Sequence, residues 1–481
     1  MFNRSQFSNR PRTRRDFLAQ VGGGFGGLAL AHMLGPSNGM AEEKQSDLNL
    51  NGGLQHPARV RRVIQLFMNG GASPMDTFDY KPQLAKKHGE NVDFGIKSAA
   101  TSKPGAIMKS PFKFQQHGEC GQWVSEVFEH QANHVDEMTF LMSMRSKTNV
   151  HGPASYMQNT GFLSGGFPSM GAWLSYGLGS LTDNLPTFVV LPDHRGLPYN
   201  NQGNFSAGFL PAANAATIIK PNSPNPIANL HPPSRSSQIT ATSEADGLQL
   251  LEELNRNHLS DHPGDSRLEA RIKSFELAAK MQLSAPDALD VSKETRQTHD
   301  SYGLNDDMTS HFGKCCLVAR RLVERGVRFV QVWSGAGGAS NNWDNHTNIK
   351  DELPAIARTV DKPIAALLQD LKQRGLFEDT LLIWTTEFGR MPFTQGATGR
   401  DHNGGTFVTW LAGAGLRPGL SYGKSDDFAY QTAENTLYCY DLHATILHLM
   451  GIDHRRLTFR HNGIDRRLTD VHGHVIKEII G

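Results

Sequence analysis

Arg61-Arg-Val-Ile-Gln-Leu-Phe-Met-Asn-Gly-Gly-Ala-Ser-Pro-Met-Asp-Thr-Phe-Asp79 is the stretch on which the reading of the chain turns. Val63 to Met68 is a run of apolar and β-favouring residues, the pattern of a strand buried on both faces of a parallel sheet. Asn69-Gly70-Gly71 then breaks it, because glycine reaches backbone angles closed to other residues. Ser73, Asp76, Thr77 and Asp79 follow at the strand's carboxyl end, where open α/β sheets bind ligands. A carboxylate on a Gly-rich loop there is a candidate metal ligand, against the plain alternative of a turn with a solvated acid.

The same rhythm recurs downstream. Met138 to Met144 reads as a second buried strand, running through Arg145-Ser-Lys-Thr-Asn-Val into His151-Gly-Pro-Ala-Ser155. Pro153 suits the first turn of a helix, so a helix starts at about His151, and its free N–H groups and dipole favour anions. A helix over Pro168–Gly177 and a strand over Thr187–Leu191 follow, then an Asn/Pro/Gly/Ser-rich excursion from Asp193 to Ser237. Amphipathic, charge-mixed helices are expected from about Ala245 to His258 and from Ser266 to Met281. After Tyr302 come a helix at His311–Arg325 and a strand at Val327–Trp333. Pro354–Arg374 is the next helix, Thr380–Thr385 and Thr406–Leu411 are strands, and Asp441–Met450 is the last helix. Gln122–Val135 also reads as a helix, and Gly399–Asn403 as a loop. Alternating strands and helices imply an α/β fold with a mostly parallel sheet flanked by helices on both faces.

Thr13-Arg14-Arg15-Asp16-Phe17-Leu18 resembles a bacterial twin-arginine export signal. Val21 to Leu34 is apolar but too short and weak for a stable membrane span, and Gly39-Met40-Ala41 offers small residues for a signal peptidase. Residues 1–41 are therefore expected to be a signal peptide, 42–60 a flexible leader, and 61–481 one domain with a loop-rich insertion at about 193–300. The mature chain is expected in the periplasm or secreted, after meeting the twin-arginine machinery as a folded protein. Lys plus Arg total 48 and Asp plus Glu 47, a balance that argues against a nucleic-acid or polybasic membrane role. The four cysteines, Cys120, Cys315, Cys316 and Cys439, form no CxxC motif, so a zinc–thiolate site is not expected.

The placement of acids and histidines carries the functional signal. Loops beyond five strands supply Asp76 and Asp79; His151; Asp344 and His346; Glu387; and Asp401 with His402. A parallel sheet gathers such ends on one edge. Mixed histidine and carboxylate ligands suit zinc, manganese or iron better than calcium, so zinc or manganese is favoured and calcium ranks below them.

Met68-Asn-Gly-Gly-Ala-Ser-Pro-Met-Asp76-Thr-Phe-Asp79, Thr386-Glu-Phe-Gly-Arg390 and Gly399-Arg-Asp-His-Asn403 are similar to signatures of the bacterial domain-of-unknown-function family 1501. So is the tail Leu457-Thr458…Asn462-Gly463…Leu468-Thr-Asp-Val471. The order of elements resembles the wider alkaline phosphatase and sulfatase superfamily, which Asp441-Leu-His-Ala-Thr-Ile-Leu-His-Leu-Met-Gly-Ile452 echoes. The resemblance implies metal ligands at Asp76, Asp344, His346, Glu387 and His402, and the placement beyond a strand end adds Asp401 to the candidate set. His151-Gly-Pro-Ala-Ser155…Thr160-Gly161 resembles the sulfatase nucleophile signature, with His151 at the nucleophile position and Ser155 where that signature has arginine. His151 is thus the catalytic candidate, with Thr148 and Ser155 as substitutes if the register slips. A formylglycine cannot arise from histidine. Phe388 replaces a metal-binding His or Asn of the wider superfamily.

Two readings follow. One is an exported metal-dependent hydrolase of small-molecule or glycan sulfate, phosphate or related anionic esters. The other is a non-catalytic relative that binds an anion, glycan or protein partner in the same cleft. An oxidoreductase has no dinucleotide or haem motif to support it.

Overall fold

The computed structural model describes residues 54–97, 99–228, 230, 241–262, 266–338 and 341–481. The expected signal peptide, 1–41, and most of the leader lie outside these residues. The leader's last residues make backbone hydrogen bonds: the Arg59 and Val60 N–H groups donate to Leu449 O at 2.8 and 2.9 Å.

Val63–Met68 is buried along its whole length, as its composition demands, in the strand β1 (Arg62–Met68). The other strands that matter are β2 (Met138–Met144), β3 (Phe188–Leu191), β4 (Thr217–Ile218), β5 (Phe329–Ser334) and β6 (Thr380–Thr385). A hairpin of β7 (Gly389–Gln395) and β8 (Gly399–Asn403) follows, then β9 (Phe407–Gly413) and β10 (Ser421–Tyr422). Eight of them form one sheet in the order β10-β2-β9-β6-β1-β5-β3-β4. β1 pairs in parallel with β5 (Val63 opposite Phe329) and with β6 (Val63 opposite Leu381). Only β9 runs against its neighbours, β2 and β6. The sheet is therefore mostly parallel, as the alternation of elements required.

The helices that cover it are α1 (His151–Thr160), α2 (Met170–Leu178), α5 (Ser310–Glu324), α6 (Ile349–Gln373) and α7 (Cys439–Leu449), all starting or ending close to the expected places. One face buries Val63, Phe67, Trp333 and Ile383 against Trp173 of α2 and Leu442 and Ile446 of α7. α5 and α6 pack together on the other side, α5 against β1 and β5. Burying residues of this size is worth roughly 1.5–3 kcal/mol each, which fixes the sheet as the rigid base of whatever its edge carries.

Two expectations fail. Gln122–Val135 is not one helix: Gln122–Ser125 is a strand paired with Phe114–His117, and two 3-10 turns follow at Glu126–Phe128 and Gln131–Glu137. The aromatic and β-branched pair Trp123-Val124 favours that strand. Gly399–Asn403 is not a loop but β8, antiparallel to β7, with His402 opposite Arg390.

Residues 227–283 cluster as a compact unit of their own. Within the expected insertion lie α3 (Ala241–Asp261) and α4 (Ser266–Leu289), the latter running past that unit's end. The second unit holds the sheet and every residue of the candidate site described below. No helix among the described residues is long and apolar enough to cross a membrane.

Candidate metal centre

β1 ends in a turn that touches two other loops. The Gly70 N–H donates to Glu387 Oε1 at 2.9 Å. Gly70 has φ +124°, and a Cβ there would lie 2.6 Å from the Asp344 nitrogen, so only glycine lets this turn approach the loop after β5. Arg390 of β7 is fully buried and locks the junction. It donates to Gly71 O at 2.7 Å, to Trp343 O at 3.2 Å, to Gly70 O, and to Asp344 Oδ1 at 2.6 Å.

α1 is held over the sheet by polar contacts at its far end. Gln331 donates to Asn159 at 2.6 Å, and Gln158 donates to the Thr385 hydroxyl at 3.1 Å. Its first residue, His151, is thereby fixed above the same sheet edge. His151 packs face to face on Tyr199 (4.5 Å between ring centres) and against Phe388 (4.7 Å).

His151, Asp344, His346 and His402 converge, with one ligand atom from each lying within 4.8 Å of the others. The Nε2 atoms of His151, His346 and His402 stand 3.2, 2.7 and 3.0 Å from Asp344 Oδ1. His402 Nε2 is also 3.0 Å from His151 Nε2 and 2.8 Å from His346 Nε2. Ligand bonds of about 2.0–2.1 Å give edges of about 2.9 Å in an octahedral set and about 3.3 Å in a tetrahedral one. The observed separations fall around those values.

The opposite ring nitrogens show why the four groups could hold a cation. His402 Nδ1 faces the backbone carbonyl of Asn149 at 2.8 Å, an acceptor only, so Nδ1 carries the proton. His151 Nδ1 lies 2.6 Å from Glu387 Oε1, and His346 Nδ1 faces Gln395 Oε1, whose amide nitrogen donates to Thr101 at 3.0 Å. Each Nδ1–H thus has an oxygen acceptor, the arrangement that orients metal-binding histidines. Burial lowers the pKa of His402 despite its contact with Asp344, so its Nε2 presents a bare lone pair to a carboxylate oxygen. Two acceptors 3 Å apart repel unless a cation lies between them.

Burial alone would raise the Asp344 carboxyl. Its contacts with the His151, His346 and His402 rings, with the charge of Arg390, hold it far below the usual carboxylate range instead. Burial would lower His151, but its bonds to Asp344 and Glu387 outweigh that and raise it. A proton on this ring is the simplest counter-charge in the metal-free protein. Tyr199 is pushed up to about 12, first by burial and then by the nearby charges of Asp344 and Glu387.

The remaining expected ligands sit elsewhere. Asp76 is fully buried against Arg400, with Oδ2 2.6 Å from Nε and Oδ1 3.2 Å from Nη2, and it accepts from Ser73 at 2.5 Å. Asp401 accepts from the backbone and hydroxyls of Thr101 and Ser102 at 2.8–2.9 Å and so ties down that loop. Asp79 pairs with Lys81 at 2.9 Å. Glu387 stands behind His151 and not among the four converging groups. Ser155 is fully buried and donates to Asn204 at 3.0 Å, which removes it as a nucleophile. Phe388 fills the wall beneath His151 and His402. Sequence reasoning missed Arg390, Gln395 and Asn149. Met391 and Phe393 alternating before Gly396 were the available sign of the hairpin that carries two of them.

The model of the family described as "Protein of unknown function (DUF1501)" matches residues 60–480. The chain belongs to the DUF1501 family. No curated protein matches this DUF1501 chain. Among solved structures it is similar to the PsFucS1 sulfatase from Pseudoalteromonas sp., at 13% identity and TM-score 0.35 over 82% of this chain and 68% of that one. It is also similar to the lipoteichoic acid synthase LtaP from Listeria monocytogenes, at 11% and 0.38 over 84% and 78%. The alkaline phosphatase from the Antarctic bacterium TAB5 matches at 10% and 0.33 over 82% and 98%. Likeness at this level carries no argument about what the DUF1501 chain does.

Proposed function

We propose that this DUF1501 protein is an exported, metal-dependent hydrolase of sulfate, phosphate or related anionic esters. The observation that supports it is the convergence of three imidazole Nε2 atoms and Asp344 Oδ1 with every Nδ1 already engaged. Three nitrogens and one oxygen favour zinc or manganese and disfavour calcium, which takes oxygen ligands. In this reading His151 moves from nucleophile to ligand beside Asp344, His346 and His402, while Asp76, Asp401 and Glu387 become supports.

When bound, a divalent ion would polarise an ester oxygen and bring the pKa of a bound water toward about 7. The chain's own groups do the rest. Glu387 fixes the tautomer and tilt of His151. Arg390 holds Asp344 in place, and its charge with that of the ion exceeds the two carboxylates, so the loaded site attracts anions. Tyr199 and Phe388 exclude water from two sides of His151. His346, with a quarter of its side chain exposed, marks the open side from which a substrate enters.

Metal analysis of protein purified without chelators tests the reading, with about one equivalent of zinc or manganese expected per chain. A folded chain with no metal would overturn it. Hydrolysis of aryl sulfates or aryl phosphates by the loaded protein then separates enzyme from binding protein. For the export route, replacing Arg14 and Arg15 with lysine is expected to leave the chain in the cytoplasm upon cell fractionation. Unchanged delivery to the periplasm would remove that part of the proposal.

A further inference from the structure

The segment that joins β2 to His151 carries two cations that the metal centre does not use. Arg145, half-buried, has a backbone N–H bonded to Leu437 O, and its guanidinium has no acceptor among the described residues. Lys147 is exposed and, among the described residues, its ammonium meets neutral groups: the Tyr440 hydroxyl at 3.1 Å, with that ring's centre at 4.6 Å, and the Tyr438 ring at 5.9 Å. Both line a cavity of about 310 Å³, shared with Ser146, Thr148, Asn149 and Gly404. No carboxylate lines it among the described residues. The volume lies at the small end of the range, roughly 300–1,000 Å³, in which small-molecule sites fall.

The cavity shares its wall with the metal centre. Asn149, which lines it, accepts the Nδ1 proton of His402 through its backbone carbonyl. Asn403, the next residue after His402, lines it too. A group bound between Arg145 and Lys147 would thus lie one peptide segment away from the converging ligands. A guanidinium with an unfilled fork, with an ammonium two residues along the same wall, is the recognition chemistry of sulfate, phosphate and carboxylate oxygens. The charged side chains that line the cavity among the described residues are both cationic, so it favours an anion over a cation.

We infer that this cavity binds a second anionic group of the substrate, so that the preferred substrate carries two separate negative charges. The inference rests on the hydrolase reading for the word substrate, but the anion site itself does not. One charged group would be the ester at the metal. The other, a sulfate, phosphate or carboxylate elsewhere on a molecule of about sugar size, would be held by Arg145 and Lys147 and fix the register of the first.

Calorimetric titration of inorganic phosphate, and separately of inorganic sulfate, into the full chain stripped of metal tests it. Stripping removes the metal as an anion site, so the remaining binding reports the cavity. Saturable binding is expected, weakened about tenfold or more in the double variant Arg145→Gln/Lys147→Gln and unchanged in Lys86→Gln, an exposed lysine elsewhere. The variant Arg145→Lys/Lys147→Arg, which keeps both charges, should retain most of the binding, and equal melting temperatures would show that the fold is intact. No binding by the stripped wild type, or equal binding by the double neutral variant, would overturn the inference. Binding in the cavity by a chain that never holds metal would uphold the anion site and sink the hydrolase reading alone.

Discussion

Replacing His346 with alanine is expected to cost the protein its metal while leaving its fold standing. The imidazole is the most exposed of the four converging groups and the bond at its Nδ1 is to Gln395, so its loss costs the fold about 1 kcal/mol. Metal is a different matter. Removing a residue that merely orients a ligand weakens affinity by about 10–100-fold, so removing a ligand should weaken it by more than about 100-fold. Two measurements read this together. Metal content after dialysis should drop to background, and the melting temperature, which chelator lowers in the wild type, should no longer respond to chelator. A variant that keeps stoichiometric metal would place the ion elsewhere.

Asp76→Asn is the second large effect and points the other way. Asp76 and Arg400 are both fully buried and form a two-point ion pair, and Arg400 also donates to Met391 O at 3.2 Å and Met108 O at 3.0 Å. Removing one partner leaves a guanidinium charge without compensation, at a cost of about 3–5 kcal/mol. Set against a typical total of about 5–15 kcal/mol, that is a severe loss. The urea midpoint should fall sharply, while protein that remains folded should hold its full equivalent of metal. Replacing both partners by apolar residues, as in Asp76→Leu/Arg400→Met, should recover part of the loss. If Asp76→Asn instead kept its stability and shed the metal, Asp76 would return to the ligand set.

These two residues show what the sequence could carry. The alternation of buried strands with helices was readable from local pattern alone, and it delivered the parallel sheet and the edge at which ligands gather. His346, Asp344 and His402 were readable too, because strand ends must meet on that edge. What local pattern cannot convey is the partner of a buried acid. Asp76 looked free because Arg400, which neutralises it, is 324 residues away. Glu387 looked like a ligand because the sequence does not say that an imidazole stands in front of it. The polar hairpin of β7 and β8 was obscured for a related reason. Arg390 and Arg400 reach from its strands into buried carbonyls and carboxylates, and Met391 and Phe393 give it only a short run of apolar alternation. His151 was found, but a position in a motif reveals where a side chain is and not which of its nitrogens is free, and its change of task rests on the function proposed above.

The four converging groups come from chain segments far apart, with His151 and His402 separated by 251 residues and brought to 3.0 Å. A site of that kind does not exist until β2, β5, the β7–β8 hairpin and the Gly70–Gly71 turn are all in place. An unfolded chain offers only the Asp344–His346 pair close in sequence, so under the metal-dependent reading proposed above loading of the full site follows folding. Under the export route proposed above, that event precedes passage across the membrane. The metal is then selected from the tightly buffered pool of the cytoplasm, and not from whatever ion is most abundant outside.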